Sequence, residues 1–139
     1  MILLLTMIAC GGGSGLPTAA IQVGDTPMTV ELAITGPTRM EGLMHRDSMP
    51  KDRGMLFIYP DYERRSFWMK DTRIPLSIAF ADKEGKIVRI ADMEPFDTGH
   101  TKSLYPAKYA LEVNKGWFAE HGVAKGDRLS NIPPDLVVE

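Results

Sequence analysis

Cysteine is almost absent: the 139-residue chain has one, at position 10, ahead of everything that reads as folded. This excludes an intramolecular disulfide and leaves no thiol for a catalytic role in the body of the chain. His45, His100 and His121 show no spacing that puts two ligands on one element, so zinc sites of the usual kinds have no support. Neither sign of charge dominates. Sixteen basic against eighteen acidic residues leave a net charge of -2, without the basic face that polyanion binding needs, so nucleic acid is not an expected partner. No Gly-rich phosphate loop follows a strand, and no Ser or Cys stands in a nucleophile turn. No cofactor is expected. Nor is there a long polar tract between Met28 and Val113, which argues against disorder.

What is present begins with a short apolar start. Residues 1–9 are apolar apart from Thr6, too short to cross a bilayer as a helix and of the length of a signal-peptide h-region. Met7-Ile8-Ala9-Cys10 resembles a bacterial lipobox, in which a small residue precedes a cysteine that is lipidated and becomes the new N-terminus. The expectation is an exported envelope lipoprotein facing the periplasm or exterior, its partner the membrane, through a lipid on Cys10. Residues 1–9 carry no Lys or Arg, so a basic n-region would lie upstream of Met1. Gly11 to Gly15 read as a flexible tether rather than a core strand. The expected organisation is a signal peptide over 1–9, a tether over 10–25, a β domain over 26–132 and a tail over 133–139.

At 15.4 kDa the chain is long enough for one core. Met28, Val30, Leu32 and Ile34 alternate with polar or small residues, the period of a half-buried strand. Gly36-Pro37 end it, and Pro37 can open a helix of about ten residues with Met40, Leu43 and Met44 on its inner face. Gly54 to Tyr59 form a continuous apolar run, hence a buried strand. A charged loop over 61–65 leads to a short strand at Phe67-Trp68-Met69. Leu76, Ile78 and Phe80 alternate, Asp82 to Gly85 give a hairpin turn, and Ile87 to Ile90 return. A polar loop over 94–106 precedes a strand at Tyr109, Leu111 and Val113. One helical turn over 117–123 and a strand near Leu129 complete the pattern. Short strands with little helix predict a sandwich or barrel.

Glu41-Gly42-Leu43-Met44-His45-Arg46, Gly54-Met55-Leu56-Phe57, Phe67-Trp68-Met69-Lys70-Asp71-Thr72, Ile74-Pro75-Leu76, Leu111-Glu112-Val113 and Gly126-Asp127 occur in the order seen in domain of unknown function family 192, which the chain resembles over most of residues 28–130. The resemblance implies a compact, mainly β domain of jelly-roll or barrel-like type with one or two short helices, often exported, with no established activity. It adds a fold and no function. Ser77 stands where the family usually has an aspartate, and His45 where an aromatic is common.

Glu112 is the foremost polar candidate, since it lies between apolar Leu111 and Val113 and faces the opposite side of the strand. It reads as an acid or base lining a cavity, or as a structural carboxylate paired with Arg46. Trp68 beside Asp71 and Thr72 suggests the edge of a groove for a sugar or other amphipathic ligand, or else a core filler in a strand whose Asp71 and Thr72 form a turn. Met40, Met44, His45 and Met49 form a candidate Cu(I) set. The expected function is an envelope-tethered binding domain with a groove near Arg46, Trp68, Asp71, Thr72 and Glu112 for a polar or carbohydrate-like small molecule. Two alternatives stand beside it: a hydrolase or lyase acting on an envelope carbohydrate with Glu112 as acid or base, and a Cu(I)-binding periplasmic protein.

Overall fold

The structure, a computed structural model, describes residues 14–139. The signal-peptide and Cys10 expectations lie outside the described residues. Among the described residues, seven strands, β1 (Thr18–Val23), β2 (Thr26–Ala33), β3 (Arg53–Phe67), β4 (Leu76–Ala81), β5 (Ile87–Met93), β6 (Thr101–Asn114) and β7 (Leu129–Ser130), form one sheet in the order β5-β4-β6-β3-β2-β1-β7. All pairings are antiparallel except β2 with β3. The sheet curls into a half-barrel, as the mainly β, barrel-like expectation required, and two short helices, α1 (Gly36–Glu41) and α2 (Trp117–Glu120), accompany it.

The curl brings the two edge strands together at one corner. Lys86 bridges Arg128, the Leu129 N–H donates to the Gly85 carbonyl, and the Ile87 N–H donates to the Asp127 carbonyl. Gly85 has φ +83°, and a Cβ there would stand 2.4 Å from the Leu129 carbonyl oxygen. Only glycine permits that approach.

Alternation along the central strands feeds two cores, one on each face. Leu56, Ile58, Ala79, Leu111 and Val113 pack with Trp117 and Phe118 of α2 and with residues of β1 and β2. Met55, Phe57, Leu76, Ile78, Phe80 and Ala110 pack on the other face under Leu43, Met49, Phe67, Met69 and Ile74. A strand covered on both sides reads as an unbroken apolar run, which explains Gly54 to Tyr59. Glu112 belongs to the second face. It pairs with Met55 on one side and Ile78 on the other.

Several expectations are corrected. Residues 18–23, read as the end of the tether, are β1: Ile21 and Val23 are buried, and the two-residue Gly24-Asp25 turn folds the strand back on β2. The charged stretch 61–65 is not a loop. It continues β3 past Pro60, whose missing N–H falls within a register shift of the β3–β6 ladder between Ile58 and Glu63. The loop 94–106 shrinks because β6 begins at Thr101, with Ser103 Oγ accepting from the Arg65 N–H and donating to the Tyr105 carbonyl. The tail over 133–139 docks: Leu136 and Val138 pack on the first core and the Glu139 N–H donates to the Ile34 carbonyl. Helix α1 has six residues, with a Thr35–Thr38 capping box and Pro37 in its first turn, and stops at Gly42 at φ +50°. Met40 therefore lies in solvent, 68% exposed, while Leu43 alone of its expected inner face is fully buried.

Candidate functional site

The second face of the sheet carries a pocket of about 260 Å³. Its lining comes from α1 and the segment after it, from β3 and from Glu112. Gly42, Leu43 and Met44 form one wall, Phe57, Tyr59 and Phe67 another, and Trp68, Ser66 and Thr72 approach from the end of β3. Nine of the fourteen lining residues fall in four of the short segments that carry the family resemblance. Those segments are far apart in sequence and converge here.

Three loops hold the mouth through main-chain hydrogen bonds. The His45 N–H donates to the Asp71 carbonyl at 2.9 Å, the Met69 N–H to the Asp97 carbonyl at 2.7 Å, and the Phe96 N–H to the Thr72 carbonyl at 3.1 Å. His45, Asp71 and Phe96 all sit at positive φ, at +67°, +52° and +64°. Residues with side chains are rarely held there, and such strain clusters where loops are constrained for function.

Glu112 is 4% exposed, and among the described residues its side chain makes no hydrogen bond or ion pair; its carboxyl oxygens are not sealed in the core and open to the pocket. Desolvation by the apolar surroundings pushes its carboxyl up to about 8. At neutral pH it is a carboxylic acid, able to donate one hydrogen bond and accept others. Tyr59 stands on the wall with two guanidinium groups against its ring, Arg65 at 3.7 Å and Arg39 at 5.0 Å from the ring centre. Burial raises its phenol, against the lowering influence of those two cations. Both arginines are held by carbonyls, Arg39 by Ile58 at 3.0 Å and Arg65 by Ala107 at 2.9 Å.

The expected site residues divide. Glu112, Trp68 and Thr72 meet at the pocket. Trp68, 37% exposed, points away from the buried Phe67 and Met69 and stacks on His100 with 6.1 Å between ring centres and 17° between planes. Thr72 is buried, and its hydroxyl donates to the Lys70 carbonyl at 3.0 Å. Asp71 is exposed and does not line the pocket. Arg46 is not the partner of Glu112. It pairs with Glu31 of β2 at 2.5 Å, because the chain after α1 lies over β2, and it lines a second, more polar depression. The copper candidates are dispersed in role: Met40 and Met44 line the Glu112 pocket, Met49 is in the core, and His45 is an exposed turn residue. Among the described residues, no three His, Cys, Asp or Glu side chains gather as a metal site.

Arg39, Tyr59, Ser66 and His100 are contributors that the sequence reading missed. Ser66 Oγ and His100 Nδ1 are 2.8 Å apart across 34 residues of chain, a contact no local pattern announces. Ser77, at the position where an aspartate is usual, is buried. Its hydroxyl donates to Asp92 of β5 at 2.6 Å and accepts from the Gly116 N–H at the start of α2 at 3.0 Å. The carboxylate near that turn comes from the neighbouring strand, and it anchors α2.

Comparison with known proteins agrees with this architecture. The family model DUF192, described as Uncharacterized ACR, matches residues 19–131. A solved structure of a protein of unknown function from Novosphingobium aromaticivorans is 31% identical, with a TM-score of 0.83 over 88% of this chain and 91% of that one. A candidate transcription regulator from Sinorhizobium meliloti is 35% identical, with a TM-score of 0.76 over 80% of this chain and 89% of that one. No curated protein matches the chain.

The buried acid has a measurable consequence. In the unfolded chain Glu112 titrates near 4.5 and in the folded chain near 8. Its favourable contribution is complete below pH 4.5 and is lost as pH rises from 4.5 through 8, by on the order of 3–5 kcal/mol. Urea unfolding at pH 4.5, 6 and 8 should show Glu112→Gln gaining stability on the wild type across that interval. Parallel profiles for the two proteins would refute the assignment.

Proposed function

The chain belongs to the DUF192 family, and on that premise we propose that it is a small-molecule binding domain whose site is the Glu112 pocket. The single observation that carries the reading is a buried acid that has no partner among the described residues and lies in the lining of an open cavity. A buried polar group left unpaired costs free energy, which a ligand offering a complementary donor or acceptor recovers. The ligand is polar and small, of the carbohydrate-like class. Hydroxyl groups suit a neutral carboxylic acid, Thr72 and Ser66, while the part of the Trp68 ring left exposed beside His100 and Lys70 suits the apolar side of a sugar ring. Met40 and Met44 supply pliable apolar walls rather than metal ligands.

A second reading, a hydrolase or lyase on the same ligand class, is favoured by one observation. A carboxyl held protonated near neutrality is the form a general acid needs. Arg46, bound to Glu31, has no part in either reading. For the cellular setting we propose that the domain is held at the cell envelope by a lipid on Cys10, as the lipobox-like Met7 to Cys10 and the glycine-rich residues after it suggest.

Titration with a panel of neutral and acidic mono- and disaccharides, followed by amide NMR, tests the site. Shifts should centre on Tyr59, Trp68, Thr72 and Glu112, and Trp68→Ala should weaken binding at least about 10-fold. No shift at these residues at saturating sugar would defeat the binding reading. Turnover of a bound glycoside that disappears in Glu112→Gln, with affinity kept, would select the enzyme instead. For the anchor, mass spectrometry of membrane fractions should find an acylated Cys10, and an unmodified thiol there would overturn it.

A further inference from the structure

We propose that Ser66 and His100 form a nucleophile–base pair at the mouth of the pocket and that the protein cleaves carboxylic esters of small alcohols or sugars. Strand geometry assembles the pair. Ser66 and Trp68 are two residues apart at the end of β3, and His100 and Lys102 are two apart at the start of β6. Ser66 is paired directly with Lys102 in the ladder, so the four side chains share one side of a two-stranded ribbon. A register shift between Arg64 and Ser66 interrupts the ladder immediately before the serine, the kind of irregularity that re-aims a side chain beside a site.

Three features match what an activated serine needs. Its Oγ is 2.8 Å from His100 Nδ1. The imidazole is held in plane by stacking on Trp68 and in place by a loop tied through the Met69–Asp97 backbone bond. Lys102, the ladder partner of Ser66, carries an ammonium that makes no hydrogen bond or ion pair among the described residues, so it is free to turn toward the serine and offset charge developing on a carbonyl oxygen. Ser66 itself lines the pocket, whose apolar wall receives the acyl group.

The chemistry balances without a cofactor. Ser66 Oγ attacks the ester carbon while its proton passes to Nδ1, which requires the His100 tautomer carrying hydrogen on Nε2. Collapse of the tetrahedral intermediate breaks the C–O bond and the departing alkoxide takes that proton. Water, deprotonated by the same nitrogen, then attacks the acyl-serine; collapse breaks the C–Oγ bond, the Nδ1 proton returns to Oγ, and the carboxylic acid leaves free Ser66 and a neutral His100. This goes beyond the binding reading and can fail while that reading stands.

The test uses the purified chain with an alkyl fluorophosphonate probe and with p-nitrophenyl butyrate. Peptide mapping should place a single adduct on Ser66. Labelling and hydrolysis should vanish in Ser66→Ala, fall about 100-fold in His100→Ala, and fall about 10-fold in Lys102→Met with recovery in Lys102→Arg, all with unchanged melting temperatures. An unlabelled Ser66, or butyrate hydrolysis that persists in Ser66→Ala, overturns the proposal. If the wild-type chain still shows saccharide-induced shifts at Trp68 and Thr72, this inference alone has failed.

Discussion

Burial of the central strands on both faces is the constraint on which the rest of the molecule depends. Strands β3, β4 and β6 are sandwiched between two apolar clusters, so every side chain along their middle enters one core or the other. Leu111 and Val113 enter the first. Glu112, between them, is forced into the second, between Met55 and Ile78 and near Phe57. An ionised carboxylate in such a place costs several kcal/mol unless paired, and the described residues supply no counter-ion. It neutralises the group by keeping its proton. A register slip of one residue would expose or invert every side chain in the ladder, so the position of this acid is fixed by the packing of its neighbours.

Around this floor the fold places its least regular backbone. The segment after α1, the turn after β3 and the loop before β6 are stitched to one another by main-chain hydrogen bonds, and each contains a non-glycine residue at positive φ. Loops secured in this way give a pre-formed cavity whose walls need little reordering when a ligand enters, which lowers the entropic cost of binding. The opposite face is organised for stability: α2 plugs the first core with Trp117 and Phe118, and the edge strands meet at Gly85. Strength on one face and shaped irregularity on the other is a division that local unfolding energies commonly follow.

How much of this was legible in the sequence depended on range. Strand alternation located β2, β4 and β5, and it put Glu112 opposite Leu111 and Val113. Trp68 and Thr72 were marked by the family-like segment that contains them. By contrast, β1 was hidden beside the glycine-rich residues before it, although Ile21, Val23 and the Gly24-Asp25 turn carried its signal. The arm of β3 was hidden because Asp61 to Arg64 are exposed and show no apolar period. The partner of Arg46 is Glu31, and nothing local in the sequence distinguishes it from Glu112, the alternative that the strand pattern suggests. The Ser66–His100 contact and the Arg39–Tyr59–Arg65 stack depend on pairing across tens of residues, and only the folded ladder creates them.

A carboxyl that is buried, unpaired and open to a cavity is the centre of this account, and its titration can be observed directly. With 13C-labelled glutamate and Glu112→Gln used to assign the resonance, the side-chain carboxyl shift of Glu112 should stay at its protonated value through neutrality and move near pH 8. A midpoint near 4.5, the value of an ordinary solvated glutamate, would contradict it.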